Sequence, residues 1–246
     1  MAARIQTAEQ AGYPSAQSTT NQTDARTVII RVGFWSALVT GVLALLWTLA
    51  FGVELIGAPP APWSGIEAYA RTFGFPRMLN LIPALPLGWA YIVMMVSLYS
   101  YAPAEKKIWG LIALAFGIVY AVMANINYLI QLIAVRPALL SGELEGLTIF
   151  VGDNPHSVFW ALANAYAIQS MSLFFAAWIF DRSKLERWIR WLFIVVGLTV
   201  PFQFAYSFGL IPMTLAMPVL LIWIVGVPVG CFLLAALFRQ NERGAA

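Results

Sequence analysis

Residues 108–133 read "IWGLIALAFGIVYAVMANINYLIQLI", a run of 26 positions without one charged side chain. As a helix with a rise of about 1.5 Å per residue, this run is long enough to cross about 30 Å of hydrocarbon. Backbone amides in lipid must find partners within their own segment, so we interpret the run as a transmembrane helix. The ten-residue alternation typical of a membrane β-barrel does not accompany it. The run therefore decides the fold class.

Five further apolar stretches of this kind occur along the 246-residue chain, which is 61% hydrophobic and 10% charged, with a mean hydropathy of +0.79. These values exceed the apolar share of ordinary soluble domains. The six predicted spans are 32–56, 79–101, 108–133, 157–180, 189–210 and 214–238. We predict an all-α integral membrane protein whose residues 32–238 form a six-helix transmembrane bundle. A disordered tail of residues 1–31 precedes this domain, and a short tail of residues 239–246 follows it.

The basic residues predict how the bundle is oriented. Eleven of the fourteen lysines and arginines lie on the side of the two termini, and three lie on the other side. The eleven are Arg4, Arg26, Arg31, Lys106, Lys107, Arg182, Lys184, Arg187, Arg190, Arg239 and Arg243; the three are Arg71, Arg77 and Arg136. Because cytoplasmic loops are enriched in Lys and Arg, we expect both termini and both tails to be cytoplasmic, in the cell (cytoplasmic) membrane.

Two loops on the opposite, outer side show local structure. In the first, Ser64-Gly-Ile-Glu67 has capping-box spacing, which predicts a short amphipathic helix on the membrane surface. In the third loop, Asn154 is expected to cap the fourth span, with Pro155 at its first helical position.

Polar side chains concentrate in the outer half of the predicted bundle, and two explanations for them remain open. One is packing between helices: Asn125 ends a stripe of small residues and could donate a hydrogen bond across a helix seam. Two residues rotate a helix by about 200°, so Asn127 faces away from Asn125 and needs another environment. The other explanation is an outward-facing polar pocket, because ionisable groups inside a membrane are functional candidates. The predicted ligand-binding residues are Asn127, Gln131, His156, Asn164 and Glu54.

The chain lacks the residues of the common membrane chemistries. It has one histidine and one cysteine, Cys231, which excludes a His pair for a metal and an internal disulfide. It has no HExxH, phosphate-binding or dinucleotide-binding motif, and no lysine within a span. We therefore predict no catalytic residue, no metal and no cofactor. The expected partners are the lipid bilayer and a small-molecule or lipid ligand, but not nucleic acid. Gly226 and Gly230 have the spacing of a close-packed helix pair, although Pro228 between them equally favours a kink.

Residues 125–162, "NINYLIQLIAVRPALLSGELEGLTIFVGDNPHSVFWAL", resemble a stretch of uncharacterised multi-pass membrane proteins of bacteria and archaea. There, as here, an amide-bearing helix leads through "VRP"-like and "GE…EG"-like segments to an "NPH" turn. The remaining spans are similar only in hydropathy. The resemblance implies a prokaryotic membrane protein and carries no catalytic residue over.

Three functions are compatible with the sequence. The first is non-enzymatic binding or passage of a small molecule through the outward-facing pocket. The second is a structural or assembly subunit whose amides only pack helices. The third is a membrane-embedded enzyme. Of these we favour the first.

Overall fold

The structure is a computed structural model that describes residues 16–58 and 62–243. It is 84% helical, and the described ranges contain no strand. Six helical segments are long and apolar enough to cross a membrane, and we number them spans 1 to 6: Ala25–Gly57, Phe75–Tyr101, Ala104–Ser141, Val158–Ile179, Lys184–Ser207 and Thr214–Arg243. The prediction of an all-α, multi-pass membrane protein with a six-helix bundle is therefore confirmed.

Several of the spans consist of more than one helix. The α-helices are α1 Ala16–Gly57, α2 Ile66–Thr72, α3 Phe75–Leu79, α4 Leu81–Tyr101, α5 Lys107–Leu129, α6 Arg136–Ser141, α7 Val158–Ala163, α8 Ala165–Ala176, α9 Lys184–Gly197, α10 Val200–Ser207 and α11 Met213–Arg243. Three 3₁₀ turns lie at Ala104–Lys106, Leu147–Ile149 and Ala177–Ile179, and a π-helix at Ile130–Val135 lies within span 3. The π-helix has a wider turn of backbone, which is rare and occurs often near functional sites.

The helical part of the chain extends beyond the predicted spans at both termini. The tail predicted to be disordered is helical from Ala16 onward, whereas residues 1–15 lie outside the described residues. α11 likewise continues to Arg243. The physical reason is tertiary contact: Arg31 Nε pairs with Glu242 Oε1 at 3.0 Å, and Ile30 is 3% exposed. These contacts, chiefly the burial of Ile30, pack α1 against α11 near residues 30 and 242, outside the predicted spans.

The six spans form a closed ring in chain order. Span 1 packs against span 2, span 2 against span 3, span 3 against span 4, span 4 against span 5, span 5 against span 6, and span 6 returns to span 1. The Arg31–Glu242 pair puts the start of span 1 and the end of span 6 at one end of this ring, which we call the terminal end. The opposite end, which carries the loops after spans 1, 3 and 5, is the loop end.

The loop end carries a small hydrophobic cluster of its own. Tyr69 of α2, Val135 of the π-helix and Val151 of the loop after span 3 are buried together. The predicted short helix is present as α2, and its position on the membrane surface stays a prediction; its N-cap is Gly65 at φ 108°, and no side chain caps it. The predicted capping by Asn154 is wrong: α7 begins after Ser157, and Asn154 Oδ1 instead accepts from the His156 backbone N–H at 3.0 Å. The short side chain thus forms a local turn that keeps the following residues out of the helix.

Candidate functional site on the axis of the ring

Aromatic side chains from five of the six spans fill the axis of the ring. Trp47 and Trp223 meet edge to face at 5.4 Å between ring centroids, and Tyr166 contacts Trp223 at 4.8 Å. Tyr120 lies 6.5 Å from Tyr166 and 5.0 Å from Tyr91. Edge-to-face pairs at such distances are favourable beyond the area they bury. These five residues, the aromatic plug, close the space that a ring of six helices leaves at its centre.

Gln169 of span 4 lies beside the aromatic plug without a protein partner for its side chain. It is 0% exposed, and within the described ranges neither its Nε2 nor its Oε1 has a hydrogen-bond partner. The indole N–H groups of Trp47 and Trp223 also have none among those residues. All three side chains line a cavity of about 10 Å³ between spans 1, 2, 4 and 6. A cavity of this volume holds roughly one water-sized molecule.

Pro228 of span 6 adds an acceptor to the lining of this cavity. Proline has no backbone N–H, so the helical bond that would normally reach the carbonyl of Ile224 is absent. Both residues line the same cavity. The surface of the cavity is mostly apolar, and the hydrogen-bonding groups of the residues around it are two indole N–H donors, the Gln169 amide and the Ile224 carbonyl. A molecule that both donates and accepts can satisfy this set.

Asn127 lies on the same axis, nearer to the loop end. It is 4% exposed, and its Oδ1 has no hydrogen-bond partner among the residues that the structure describes. Seven residues separate it from Tyr120, which is close to two helical turns, so it shares the face of the plug residue and lies about 10 Å further along the helix. Asn127 therefore extends the polar lining from the plug toward the loop end.

Asn125, two residues earlier, has the different environment that the helix rotation predicts. Its amide lies against Gly88 of span 2, where an added Cβ would be 2.4 Å from Asn125 Nδ2. The expected hydrogen bond across this seam is not formed, because Nδ2 donates to the carbonyl of Ala121 in its own helix at 2.8 Å. Asn125 is thus a packing residue whose hydrogen bond is local, and its Oδ1, like that of Asn127, has no partner among the described residues.

A cluster of ionisable groups covers the loop end. Asn80 Nδ2 donates to the carboxylate of Glu54, and Arg77 Nη1 pairs with Asp153 Oδ1 at 2.7 Å. The Arg77 side chain is only 8% exposed, and its guanidinium lies 5.0 Å from the centroid of the Tyr69 ring. Burial raises the pKa of Tyr69 to about 12, so its hydroxyl stays protonated at neutral pH. This cluster joins span 1, span 2 and both long loops.

The other predicted ligand residues do not form one pocket. Gln131 is 7% exposed, and its Nε2 donates to the Phe150 carbonyl at 2.7 Å. This bond connects the π-helix to the loop after span 3. Asn164 donates to the Trp160 carbonyl at 3.0 Å, at the break between α7 and α8, and His156 is exposed. Within the part of the chain that is described, no two of the five predicted residues are hydrogen-bonded to each other. Asn127 faces the axis, and Glu54 belongs to the loop-end cluster.

Sequence reasoning missed the residues at the centre of the site. Gln169 is an isolated amide well inside span 4, and an amide at that depth indicates a functional candidate. Trp47 and Trp223 also lie well inside their spans, whereas tryptophan prefers the membrane interface. Tryptophans deep in a span were therefore candidates for an axial role.

Gly226 and Gly230 have their close contacts inside the chain. A Cβ added to Gly226 would lie 2.5 Å from Val196 Cγ2, and one added to Gly230 would lie 2.6 Å from Phe193 Cε1. Both neighbours belong to span 5. The two glycines allow spans 5 and 6 to approach, and Pro228 between them leaves α11 continuous.

Comparison of the chain with protein-family models, with curated proteins and with solved structures finds no match.

Proposed function

We propose that the chain is a non-enzymatic protein of a prokaryotic cytoplasmic membrane that binds or passes a small, uncharged, polar molecule along the axis of its ring. One observation carries the proposal: the amides of Gln169 and Asn127 are buried on the axis with side-chain atoms that have no partner in the described protein. A buried polar group without a partner destabilises a fold by about 1–3 kcal/mol. A bound molecule that supplies the missing hydrogen bonds accounts for the retention of both amides.

The chemistry of the axis favours an uncharged ligand. The plug contributes aromatic faces and indole N–H donors, and Gln169 contributes one donor group and one acceptor. The ionisable side chains Glu54, Arg77 and Asp153 lie at the loop end, where each has a partner, so they do not offer a counter-charge beside the plug. Burying an unpaired charge at the centre of a membrane protein is costly. Water fits the cavity of about 10 Å³, and small polyols and small amides offer the same donors and acceptors but require the space beside the plug to widen.

The loop end is proposed to face the outside, with both termini in the cytoplasm. The support is the excess of Lys and Arg at the terminal end. Reporter fusions near residues 70 and 146 should report an outside location, and fusions near residues 104 and 185 and at the C-terminus a cytoplasmic one. An external C-terminus would contradict this orientation, because the loop end would then face the cytoplasm.

Two measurements on the purified protein test the proposed ligand class. In the first, thermal unfolding in detergent is followed with added glycerol, urea or acetamide, against sodium chloride as a charged reference. In the second, stopped-flow light scattering of proteoliposomes reports entry of the same solutes after an osmotic step. We expect at least one uncharged solute to enter faster than into protein-free liposomes.

Matched variants assign the effect to the axis. Asn127→Leu removes an axial amide and should abolish the solute effect. Asn125→Leu changes the same side chain two residues away, against Gly88, and should preserve the effect. Solute entry equal to that of protein-free liposomes, together with no thermal shift by any solute, would refute the proposal.

The alternative of an assembly subunit has less support. Such a subunit would need a close-packing face for its partner, and the glycine face of Gly226 and Gly230 is covered by span 5 of the same chain.

A further inference from the structure

A second, larger cavity lies at the terminal end, away from the aromatic plug. Its volume is about 750 Å³, and it is a half-open cleft bordered by residues 25–30 of span 1, the ends of spans 2 and 6, and the turn that starts span 5. Ligand pockets in proteins typically have volumes of about 300–1,000 Å³. The volume is therefore sufficient for an organic ligand.

Two arginines give this cavity its positive charge. Arg26 is exposed and makes no hydrogen bond or ion pair with any of the described residues. Arg182 reaches Glu105 only at 3.7 Å, and both side chains are more than half exposed. Exposed ion pairs of this kind contribute little to stability. Both guanidinium groups are therefore available to an anionic ligand.

The one carboxylate that lines the cavity is already hydrogen-bonded within the protein. Glu186 is 4% exposed; its Oε2 accepts from the backbone N–H groups of Asp181 and Arg182 at 3.0 and 2.7 Å, and its Oε1 accepts from Tyr101 Oη at 2.9 Å. Three donors directed at one carboxylate compensate much of its charge. Glu186 also fixes the turn that carries Arg182, so it orients the cavity wall.

The remaining lining includes polar and apolar side chains. Ser100, Ser183 and Gln240 contribute hydroxyl and amide groups, whereas Ile29 and Leu237 contribute hydrocarbon. The hydroxyl of Ser183 accepts from the Glu186 N–H at 3.1 Å, and its own hydrogen has no acceptor among the described residues. Guanidinium and hydroxyl donors grouped around one space suit a group with several acceptor oxygens.

From this arrangement we propose that the terminal-end cavity binds a phosphate-bearing amphiphile, with the phosphate at Arg26 and Arg182 and the apolar part along Ile29 and Leu237. The phosphate belongs to a bilayer phospholipid or to a soluble phosphate ester; both share the same headgroup chemistry. The site is separate from the axial site, so it does not depend on the function proposed above.

The test measures binding to the purified full chain in detergent micelles. Three probes are titrated: dioctanoyl phosphatidic acid, dioctanoylglycerol and inorganic phosphate. The first two differ by the phosphate alone, and the third lacks the apolar part. We expect phosphatidic acid to bind at least about tenfold more tightly than dioctanoylglycerol. Saturation by inorganic phosphate at millimolar concentration identifies a soluble phosphate ester as the ligand source, and binding of phosphatidic acid alone identifies a lipid.

A matched pair of double variants assigns the binding to the cavity. Arg26→Gln with Arg182→Gln removes both cavity arginines and should weaken phosphatidic acid binding by at least tenfold. Lys184→Gln with Arg187→Gln removes the same charge from exposed positions of the same region that do not line the cavity, and should change binding by less than twofold. Because all four side chains are exposed, the fold should tolerate both changes. Equal binding of the two lipids, or equal loss in both double variants, would overturn the proposal.

Discussion

Replacing Gln169 by methionine should stabilise the protein. Methionine has nearly the volume and flexibility of glutamine but no group that needs a hydrogen bond. The wild-type amide is 0% exposed, and both of its polar atoms are without partners among the described residues. Each unsatisfied buried group costs about 1–3 kcal/mol. A water in the small cavity offsets part of this, so we expect the free energy of unfolding to rise by about 1–3 kcal/mol.

The assay is equilibrium unfolding in mixed micelles at increasing SDS, followed by circular dichroism. Gln203→Met is the matched control, because Gln203 Nε2 donates to Ser170 Oγ at 3.0 Å and to Thr199 Oγ1 at 2.7 Å. Of these two bonds only the one to Ser170 joins two spans, because Thr199 lies in the same span as Gln203. Interhelical hydrogen bonds in membranes are worth on average about 0.6 kcal/mol each, so the same substitution should destabilise the protein by about 0.6 kcal/mol at position 203.

The opposite signs of the two substitutions form the test. If Gln169→Met destabilises the protein as much as Gln203→Met does, Gln169 has partners in the protein, and the reasoning about the axial site fails. If Gln169→Met stabilises the protein and also removes the effect of added solutes, the amide is retained for binding at the expense of stability.

Three further substitutions probe other contacts by the same unfolding assay. Gly88→Ala should destabilise the protein by about 1–3 kcal/mol, because the new Cβ would lie 2.4 Å from Asn125 Nδ2. Adding Asn125→Ala should restore most of the lost stability. If the effects of the two substitutions simply add, the contact between these residues does not exist. Asp153→Ala leaves the nearly buried Arg77 guanidinium without its ion-pair partner and should lower the free energy of unfolding by about 3 kcal/mol, so a loss below 1 kcal/mol would show that the pair is dispensable. Glu186→Ala removes the acceptor of three hydrogen bonds and should destabilise by about 3 kcal/mol, whereas wild-type stability would contradict its role in holding the turn.

The number and type of the spans could be predicted from the sequence because lipid imposes a length and a polarity on each segment. Helix rotation also predicted that Asn125 and Asn127 face different directions; Asn125 lies against Gly88, and the polar pocket at Asn127 stays a prediction. The packing of α1 against α11 outside the predicted spans could not be predicted, since the contact between Arg31 and Glu242 joins two residues far apart in the chain. Local patterns contain no information about such a contact.

The residues at the centre of the axial site could not be predicted, for a related reason. The periodicity of a span shows which of its residues share a face, but it does not show which other spans that face meets. Trp47, Tyr166, Gln169 and Trp223 come together only because the ring closes in a particular order. His156, by contrast, drew interest as the single histidine, although rarity in composition does not determine burial.

Closure of the ring by spans 1 and 6 affects the order of assembly. Of the six spans these two are the farthest apart in the sequence, so a nascent protein cannot bring them together until span 6 has been synthesised. Until then, the inner faces of spans 1 and 5, including Trp47, must be covered by lipid or by an insertion chaperone. The same proximity of residues 31 and 242 permits circular permutation: a short linker could join the two ends, and new termini could be opened at the exposed turn of residues 142–146. In such a permutant spans 1 and 6 would be consecutive, and the slowest pairing of the natural chain would become a local one.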